Sequence, residues 1–267
     1  MKVAEKLLLF GLLTILNPIL MAAPYNAKER VVTKALYSYF NQKTGELVLK
    51  GNAQVKRDDL SLFADKILYM EKKKEAFATG NVKLVSADFT LEAGQIRVYL
   101  VGNETLKRMS ESDTLVIAQK HPRLLEKADK GDLFNQVTAV EIKFFKGRET
   151  IESFENVKMV QLKQEGVELL EQMVITGEYM EYKHLQKKAL VKNNVKLESK
   201  DLGGEGERLI YYQNGNKFYL IDSAKVYEYD KRGKVANTIQ GNKILHLIDE
   251  GRTILMGNVE GSLEYDG

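Results

Sequence analysis

The sequence contains an internal repeat. A unit of about 29 residues recurs along the chain, most visibly as FNQKTGELVLKGNAQV from Phe40 and YMEKKKEAFATGNVKL from Tyr69. In a common register every unit starts at a small residue; the starts are Ala35, Ala64, Ala93, Ala139, Gly177, Gly206 and Gly241. A repeat of this kind predicts a series of similar supersecondary units, each packed against its neighbours.

Each unit has the pattern of a β-hairpin. Apolar residues alternate at offsets +3 and +5, as Ile67 and Tyr69 do, and a polar or glycine-rich turn such as Asn214–Gly215 follows. A second strand then alternates at +12, +14, +18 and +20. A period of two with one apolar face indicates half-buried strands, and the tight turn between them indicates hairpins. The sequence therefore predicts an all-β chain of about seven hairpins.

Offset +17 of the repeat is rich in asparagine. The residues there are Asn52, Asn81, Ser110, Asn156, Asn194, Ser223 and Asn258. Asparagine tolerates a left-handed backbone and bonds to its own neighbours, so we expect a bend or bulge in the second strand of each unit. A direct contact with a ligand is the alternative.

Residues 1–22 have the composition of a secretory signal peptide. Lys2 and Lys6 precede an apolar run, and small residues follow it, with cleavage expected after Ala22. An uncleaved membrane anchor is the alternative, although the run is shorter than the ~20 residues that a spanning helix needs. We expect residues 23–267 to form the exported domain.

Composition excludes several classes of function. Lys plus Arg is 40 and Asp plus Glu is 37, too balanced for a dedicated nucleic-acid binder. Cysteine is absent, and the three histidines are isolated, so neither a thiolate site nor a histidine metal site is predicted. We expect no metal and no cofactor. Carboxylates do not converge in a catalytic pattern, so the sequence does not predict an enzyme.

A polar segment interrupts the repeat. Units in 35–113 and 139–265 are separated by residues 114–138, where one or two helical turns are expected around Pro122. This insertion is either a surface excursion of one continuous fold or a junction between two halves.

Three motifs carry a resemblance to a known family. They are L-x-L-x-G-N-A-x-V at 47–55, A-D-x-I-x-Y at 64–69 and A-x-G-N-V-x-L at 78–84. The chain resembles the OstA family, the periplasmic lipopolysaccharide-transport proteins of the LptA and LptC type and the N-terminal domain of LptD. The resemblance implies an elongated antiparallel β-jellyroll, a taco-like roll in the periplasm whose interior holds the acyl chains of lipopolysaccharide or a related glycolipid.

Offsets +5 and +18 to +20 would line such a groove. The predicted lipid-binding residues are Tyr69, Val82, Leu84, Phe144, Val157, Met159, Tyr182, Val195, Leu197, Tyr211 and Val226. Burial of acyl chains against them, at ~25 cal/mol per Å² of apolar area, would give affinity without a specific polar contact. The alternative is that these residues only fill the core.

The resemblance also implies partners. Edge strands expected at 30–39 and 259–265 would pair with other OstA-like proteins at the two membranes, or head to tail with further copies. A monomer with blunted edges is the alternative. Lysine-rich turns at 72–74, 187–188 and 231–232 either meet lipid phosphates or are simply solvated. The rival function is a structural envelope or adhesin repeat with a filled core and no lipid.

Overall fold

The computed structural model describes residues 31–57, 60–127, 133–257 and 260–263. These residues form eighteen strands, one α-helix and two short 3-10 turns, which confirms the predicted all-β class. The strands are β1 (Val31–Lys34), β2 (Tyr37–Asn41), β3 (Glu46–Arg57), β4 (Leu60–Met70), β5 (Glu75–Val85), β6 (Phe89–Tyr99), β7 (Leu115–Gln119), β8 (Arg123–Lys127), β9 (Leu133–Thr138), β10 (Glu141–Phe145), β11 (Thr150–Glu165), β12 (Glu168–Lys183), β13 (Lys188–Ser199), β14 (Leu202–Tyr212), β15 (Lys217–Tyr229), β16 (Val235–Leu247), β17 (Arg252–Met256) and β18 (Glu260–Leu263). The helix is α1 (Glu104–Arg108), and the 3-10 turns are Lys146–Arg148 and His184–Gln186.

The long strands form an antiparallel meander of hairpins. In the second unit, for example, Tyr69 of β4 pairs with Ala76 of β5 across a turn at residues 71–74. Each second strand then pairs with the first strand of the next unit, as β5 does with β6. The predicted hairpins are therefore confirmed except in the third unit, where α1 takes the place of the second strand and the prediction is wrong.

Most long strands bend near their middle, at the asparagine position of the repeat. Six residues at offset +17 have positive φ: Asn52 (47°), Asn81 (46°), Ser110 (57°), Asn156 (51°), Asn194 (54°) and Ser223 (51°). In β3, β5, β11, β13 and β15 the pairing register shifts at this point, for example between Lys50 and Ala53. The predicted bend is confirmed in these five strands. Ser110 instead lies in the turn that follows α1, so the bend predicted in a second strand of the third unit is wrong, and Asn258 lies outside the described residues.

The bends divide the sheet into two walls. The front wall carries the tight turns and comprises residues 37–41, 46–50, 66–70, 75–79, 95–99, 115–119, 141–145, 150–154, 179–183, 188–192, 208–212, 217–221, 243–247 and 252–256. The back wall comprises 31–34, 53–57, 60–64, 82–85, 89–93, 123–127, 133–138, 157–165, 168–177, 195–199, 202–206, 224–229, 235–241 and 260–263. The walls meet along the bends, and we call the opposite side the mouth. This arrangement is the predicted antiparallel jellyroll.

One hydrophobic core lies between the walls. Along the inner face of the front wall, Ile67, Ala78 and Ile96 are neighbours in register, and each is at most 1% exposed. Leu84 and Leu91 are the corresponding neighbours in the back wall, also buried. Each fully buried side chain of this size contributes about 1.5–3 kcal/mol. Alternation in the sequence thus places one face of every strand in a shared interior.

The described part of the polar segment 114–138 continues both walls. β7 pairs with β6 and β10 in the front wall, while β8 and β9 pair with each other and with flanking strands in the back wall. Lys120 and His121, with φ of 62° and 60°, make the bend between β7 and β8. The expected helical turns around Pro122 are therefore wrong, because the residues on either side of this bend form β7 and β8.

A short helix lies just before that segment instead. The side chain of Asn103 caps α1 by accepting a hydrogen bond of 2.7 Å from the Thr105 backbone N–H. Leu106 packs with Leu115 and Phe145 in a small second core. Among the described residues, no helix is long and apolar enough to cross a membrane. The predicted signal peptide, residues 1–22, lies outside the described residues.

Candidate lipid groove and its polar closure

The residues predicted to line a groove lie on the inner faces of both walls. The row of the front wall nearest the mouth contains Tyr69, Phe144, Tyr182 and Tyr211. The row of the back wall beside the bends contains Val82, Val157 and Val195. The next inward row of the back wall contains Leu84, Met159, Leu197 and Val226. Ten of these eleven residues belong to the single core cluster, and Tyr69 is half-buried. The repeat therefore brings distant residues of the sequence into one apolar interior.

The interior is closely packed in this structure. At the mouth, the rings of Phe89 in the back wall and Phe144 in the front wall meet edge to face, with centroids 5.0 Å apart. A small pocket remains between the walls. It is lined by Leu124, Glu126, Asn135, Val137, Ile151, Met159, Met180 and Tyr182. The walls are thus in contact, and lipid would have to separate them.

At the mouth, a buried carboxylate of the back wall contacts side chains of the front wall. Glu126, in β8 of the back wall, is 1% exposed. Its Oε1 lies 3.1 Å from the Tyr182 hydroxyl, 2.7 Å from Nδ1 of His184 and 3.2 Å from Nζ of Lys187. These three residues lie in or just beyond β12, so the contacts join the back wall to the front wall. We call Glu126, Tyr182, His184, Lys187 and Gln213 the Glu126 cluster.

Gln213 completes this cluster from the end of β14. Its Oε1 lies 3.1 Å from the hydroxyl oxygen of Tyr182, the same hydroxyl that contacts Glu126. Asp88, beside the start of β6, lies 3.8 Å from Nε2 of His184. The mouth is therefore spanned by one buried carboxylate, one buried ammonium and a histidine placed between two carboxylates.

Two further polar residues continue the row in the back wall. Asn135 pairs with Glu126 in register, and Gln161 pairs with Asn135. Gln161 Nε2 donates a hydrogen bond of 2.8 Å to the Tyr211 hydroxyl, a second polar link between the walls. Asn135 is 3% exposed and its amide has no hydrogen-bond partner in the described part of the chain. A buried polar group of this kind is costly, so Asn135 is the least favourable member of this row.

Burial and hydrogen bonding set the electrostatics of the mouth. The hydrogen bond to Glu126 raises the pKa of His184 above its ordinary value, although burial opposes this. Burial raises the pKa of Tyr211 to about 12. His246 packs against Phe218, and burial lowers its pKa. Tyr211 therefore stays neutral, while His184 favours its charged form beside Glu126.

The sequence did not reveal this polar row as a site. Glu126, Asn135 and Gln161 occupy inward positions, where the alternating pattern calls for apolar residues. Polar residues at those positions are the signal in the sequence that could have indicated the site. The sequence predicts Lys187 in a lysine-rich turn, either solvated or facing lipid phosphates. It is instead buried against Glu126, because the 3-10 turn at His184–Gln186 directs it towards the mouth.

The edge strands expected at the two ends are present where the chain is described. β1 and β2 at the first end pair with β3, and β17 and β18 at the last end pair with β16, each with one paired neighbour among the described strands. Tyr37 and Tyr39 on the first edge are 74% and 64% exposed, and Ile254 and Met256 on the other are 37% exposed. Val259 lies outside the described residues. Within the described strands, both ends thus present apolar side chains beside backbone groups that no second strand pairs.

Comparison with known proteins places most of this interior within one family. The family described as LptA/(LptD N-terminal domain) LPS transport protein matches residues 68–252, more than half of the chain. Among solved structures, the chain is similar to LptH, the LptA homologous periplasmic component of the conserved lipopolysaccharide transport device from Pseudomonas aeruginosa. The two share 12% identity, the match covers 50% of this chain and 82% of LptH, and the TM-score is 0.40. No curated protein matches the sequence.

Proposed function

Because the chain belongs to the family of LptA and LptD N-terminal domain lipopolysaccharide transport proteins, we propose that it binds the acyl chains of lipopolysaccharide, or a related glycolipid, between its two walls. The observation that carries this proposal is the apolar interior, which runs from strand to strand through the matched region. Each buried CH₂ of an acyl chain contributes about 0.8 kcal/mol, so such an interior suits an amphiphile. The eleven predicted residues are its proposed lining.

Lipid entry would require the mouth to open. The contacts that close it are the Phe89–Phe144 pair, the Glu126 cluster and the hydrogen bond between Gln161 and Tyr211. All of these are side-chain contacts between strands that are not paired with each other. We infer that an acyl chain replaces apolar contacts between the walls, while polar lipid groups remain at the mouth.

The two edges support a role as one member of a bridge. A contact between the last edge of one molecule and the first edge of the next would be heterologous, and such contacts propagate. Apolar residues on both edges suit this contact better than solvent. We infer that the chain is exported to the periplasm and pairs there with copies of itself or with other transport proteins of the family.

Copurification tests the lipid ligand directly. The chain would be exported in a Gram-negative host, purified without detergent and extracted with organic solvent for mass spectrometry. We expect 3-hydroxy fatty acids and phosphorylated glucosamine in the extract. A lipid-free extract, together with no response to added lipid A in a fluorescence titration, would contradict transport and favour a structural envelope repeat.

The exported form is tested separately. Intact-mass analysis of the purified protein should give a chain that begins at Ala23, because the expected cleavage follows Ala22. A chain that keeps Met1 would contradict the soluble bridge and indicate an anchored member of the transport system.

A further inference from the structure

The outer face of the front wall is chemically unusual in its C-terminal half. The segments are 179–183, 188–192, 208–212, 217–221, 243–247 and 252–256, and alternate residues in most of them, such as Val191, Leu209 and Leu220, are buried in the core. The other residues point outward: Tyr179, Glu181, Lys183, Lys188, Leu190, Lys192, Arg208, Ile210, Tyr212, Lys217, Tyr219, Ile221, Lys243, Leu245, Leu247, Arg252, Ile254 and Met256. Seven are basic, one is acidic and the remaining ten are apolar or aromatic. We call this surface the basic face.

An apolar row runs across the middle of the basic face. Leu190 pairs with Ile210, Ile210 with Tyr219, Tyr219 with Leu245, and Leu245 with Ile254. These side chains lie on the outside of the wall, away from the core, and each keeps some exposure to solvent. Contiguous apolar residues on an outer surface mark an interaction site more often than isolated ones do.

Basic residues flank this row on both sides. Lys188, Lys217 and Arg252 lie towards the mouth, and Lys192, Arg208 and Lys243 lie towards the bends. Three of the seven basic residues form ion pairs: Arg208 with Asp222, Arg252 with Glu250 and Lys183 with Glu181.

Four of the lysines lie instead over tyrosine rings. Lys243 Nζ is 4.7 Å from the Tyr219 ring, and Lys192 Nζ is 5.4 Å from the Tyr179 ring. Lys188 and Lys217 lie 5.4 Å and 5.6 Å from the ring of Tyr212. Their stems cover apolar surface, while the ammonium groups remain able to meet anions.

In the N-terminal half of the front wall, the outward positions carry as many acidic residues as basic ones. There, Arg97 pairs with Glu75 at 3.0 Å and Lys143 with Glu141 at 3.1 Å. On the outside of the back wall, Lys225 lies 3.6 Å from Glu205. The whole chain has a formal net charge of only +3, so the imbalance on the basic face is local.

We propose that the basic face docks on the anionic surface of a lipid bilayer. A flat surface with an apolar and tyrosine-rich centre and lysines on both sides matches a headgroup layer, where apolar groups insert shallowly and ammonium groups meet phosphates. A second copy of the chain would present the same positive charge and be repelled. This inference goes beyond the proposed function, because the face lies on the outside of the wall whose inner face lines the groove.

Vesicle sedimentation tests the docking. The full chain is mixed with vesicles of phosphatidylcholine alone or with phosphatidylglycerol added, at low and high salt. We expect binding that requires phosphatidylglycerol and weakens with salt. Each lysine near an anionic surface contributes about fivefold. The double variant Lys192→Gln/Lys243→Gln should therefore weaken the partition about 25-fold.

The matched control removes two lysines from the other outer face. Lys158→Gln/Lys196→Gln has the same net charge, and both residues are exposed on the back wall. It should bind as the wild type does, and any contribution of residues 1–30 is common to all variants. Thermal denaturation checks that each variant folds.

Three results would overturn the inference. The first is equal binding to both kinds of vesicle, and the second is equal loss in the two double variants. The third is self-association, measured by sedimentation velocity, that Lys192→Gln/Lys243→Gln abolishes. None of these bears on whether lipid copurifies within the roll, so this inference and the proposed function fail independently.

Discussion

Oε1 of Glu126 lies 2.7 Å from Nδ1 of His184, and this contact joins the two walls across the mouth. The partners are 58 residues apart in sequence; Glu126 lies in β8 and His184 in the 3-10 turn after β12, and these two strands do not pair with each other. Their interaction therefore depends on how close the walls are. It makes the closed state of the roll sensitive to anything that alters either charge.

The charge of His184 should make stability depend on pH. The hydrogen bond to Glu126 raises the pKa of His184, so its contribution is complete below the unfolded value of about 6.5 and is lost as pH rises through the folded pKa. Lys187 and Asp88 also face the ring. Urea unfolding should show a larger loss of stability in His184→Gln at about pH 6 than at about pH 9. The exposed His121→Gln is the control, and an equal loss at both pH values would contradict the assignment.

Removal of Glu126 should destabilise the roll strongly. Glu126→Gln takes away the carboxylate that the buried Lys187 ammonium contacts, and loss of one partner from a buried pair costs about 3–5 kcal/mol. Glu126→Gln/Lys187→Met should recover part of that loss. Denaturant unfolding of both variants gives the comparison. Glu104→Gln on the exposed helix α1 should change stability little, and a similar effect there would show that charge alone is responsible.

The bends predict a contrast between two substitutions at one position. Asn194 has a φ of 54°, a conformation that costs most other residues about 1–2 kcal/mol and costs glycine little. Asn194→Val should therefore lower the unfolding free energy by about that amount, while Asn194→Gly should be close to neutral. Thermal denaturation of the pair measures the difference. Equal stability of the two variants would mean that the bend does not require this backbone.

A crosslink across the mouth should prevent lipid loading. The native chain has no cysteine, so Phe89→Cys/Phe144→Cys introduces the only thiols, one on each wall. A bifunctional maleimide that joins them should abolish uptake of fluorescent lipid A. The same variant, treated with a monofunctional maleimide, should still bind. Uptake by the crosslinked protein would show that lipid does not enter between the walls.

The edges predict how the chain assembles. Tyr37→Lys/Tyr39→Lys places charges on the exposed first edge and should reduce self-association in sedimentation velocity, because charged edge strands resist pairing. Val167→Lys is the control, since Val167 is 98% exposed but lies in the turn between β11 and β12. A loss of assembly in both variants would mean that the edges are not the contact.

Sequence reasoning found the features that local chemistry determines. Alternation identified the strands and their buried faces, and asparagine at one offset marked the bends, because both signals depend on a few neighbouring residues. The bend between β7 and β8 escaped notice because Lys120 and His121 form it in place of asparagine. The sequence therefore predicts an insertion at residues 114–138, whereas the described part of this segment belongs to both walls.

The Glu126 cluster could not be predicted in the same way. Its members come from β8, the turn after β12 and the end of β14, and no local pattern links them. Their meeting follows from the angle between the walls, which sequence alternation does not fix. The inward position of Glu126 indicates only that a buried charge needs a partner. Which residues become its partners depends on the tertiary fold.

The register shifts at the bends have a mechanical consequence. Residues such as Gly51 and Asn52 are already skipped by the pairing of β3 with β4, and the same break recurs in most of the long strands. The ladders of the two walls are therefore already interrupted along this line, where isolated backbone hydrogen bonds lie, such as those from the Leu36 N–H to the Gly51 carbonyl and from the Gly94 N–H to the Lys120 carbonyl. A change in the angle between the walls would load these few bonds and the side-chain contacts at the mouth before it loaded either ladder.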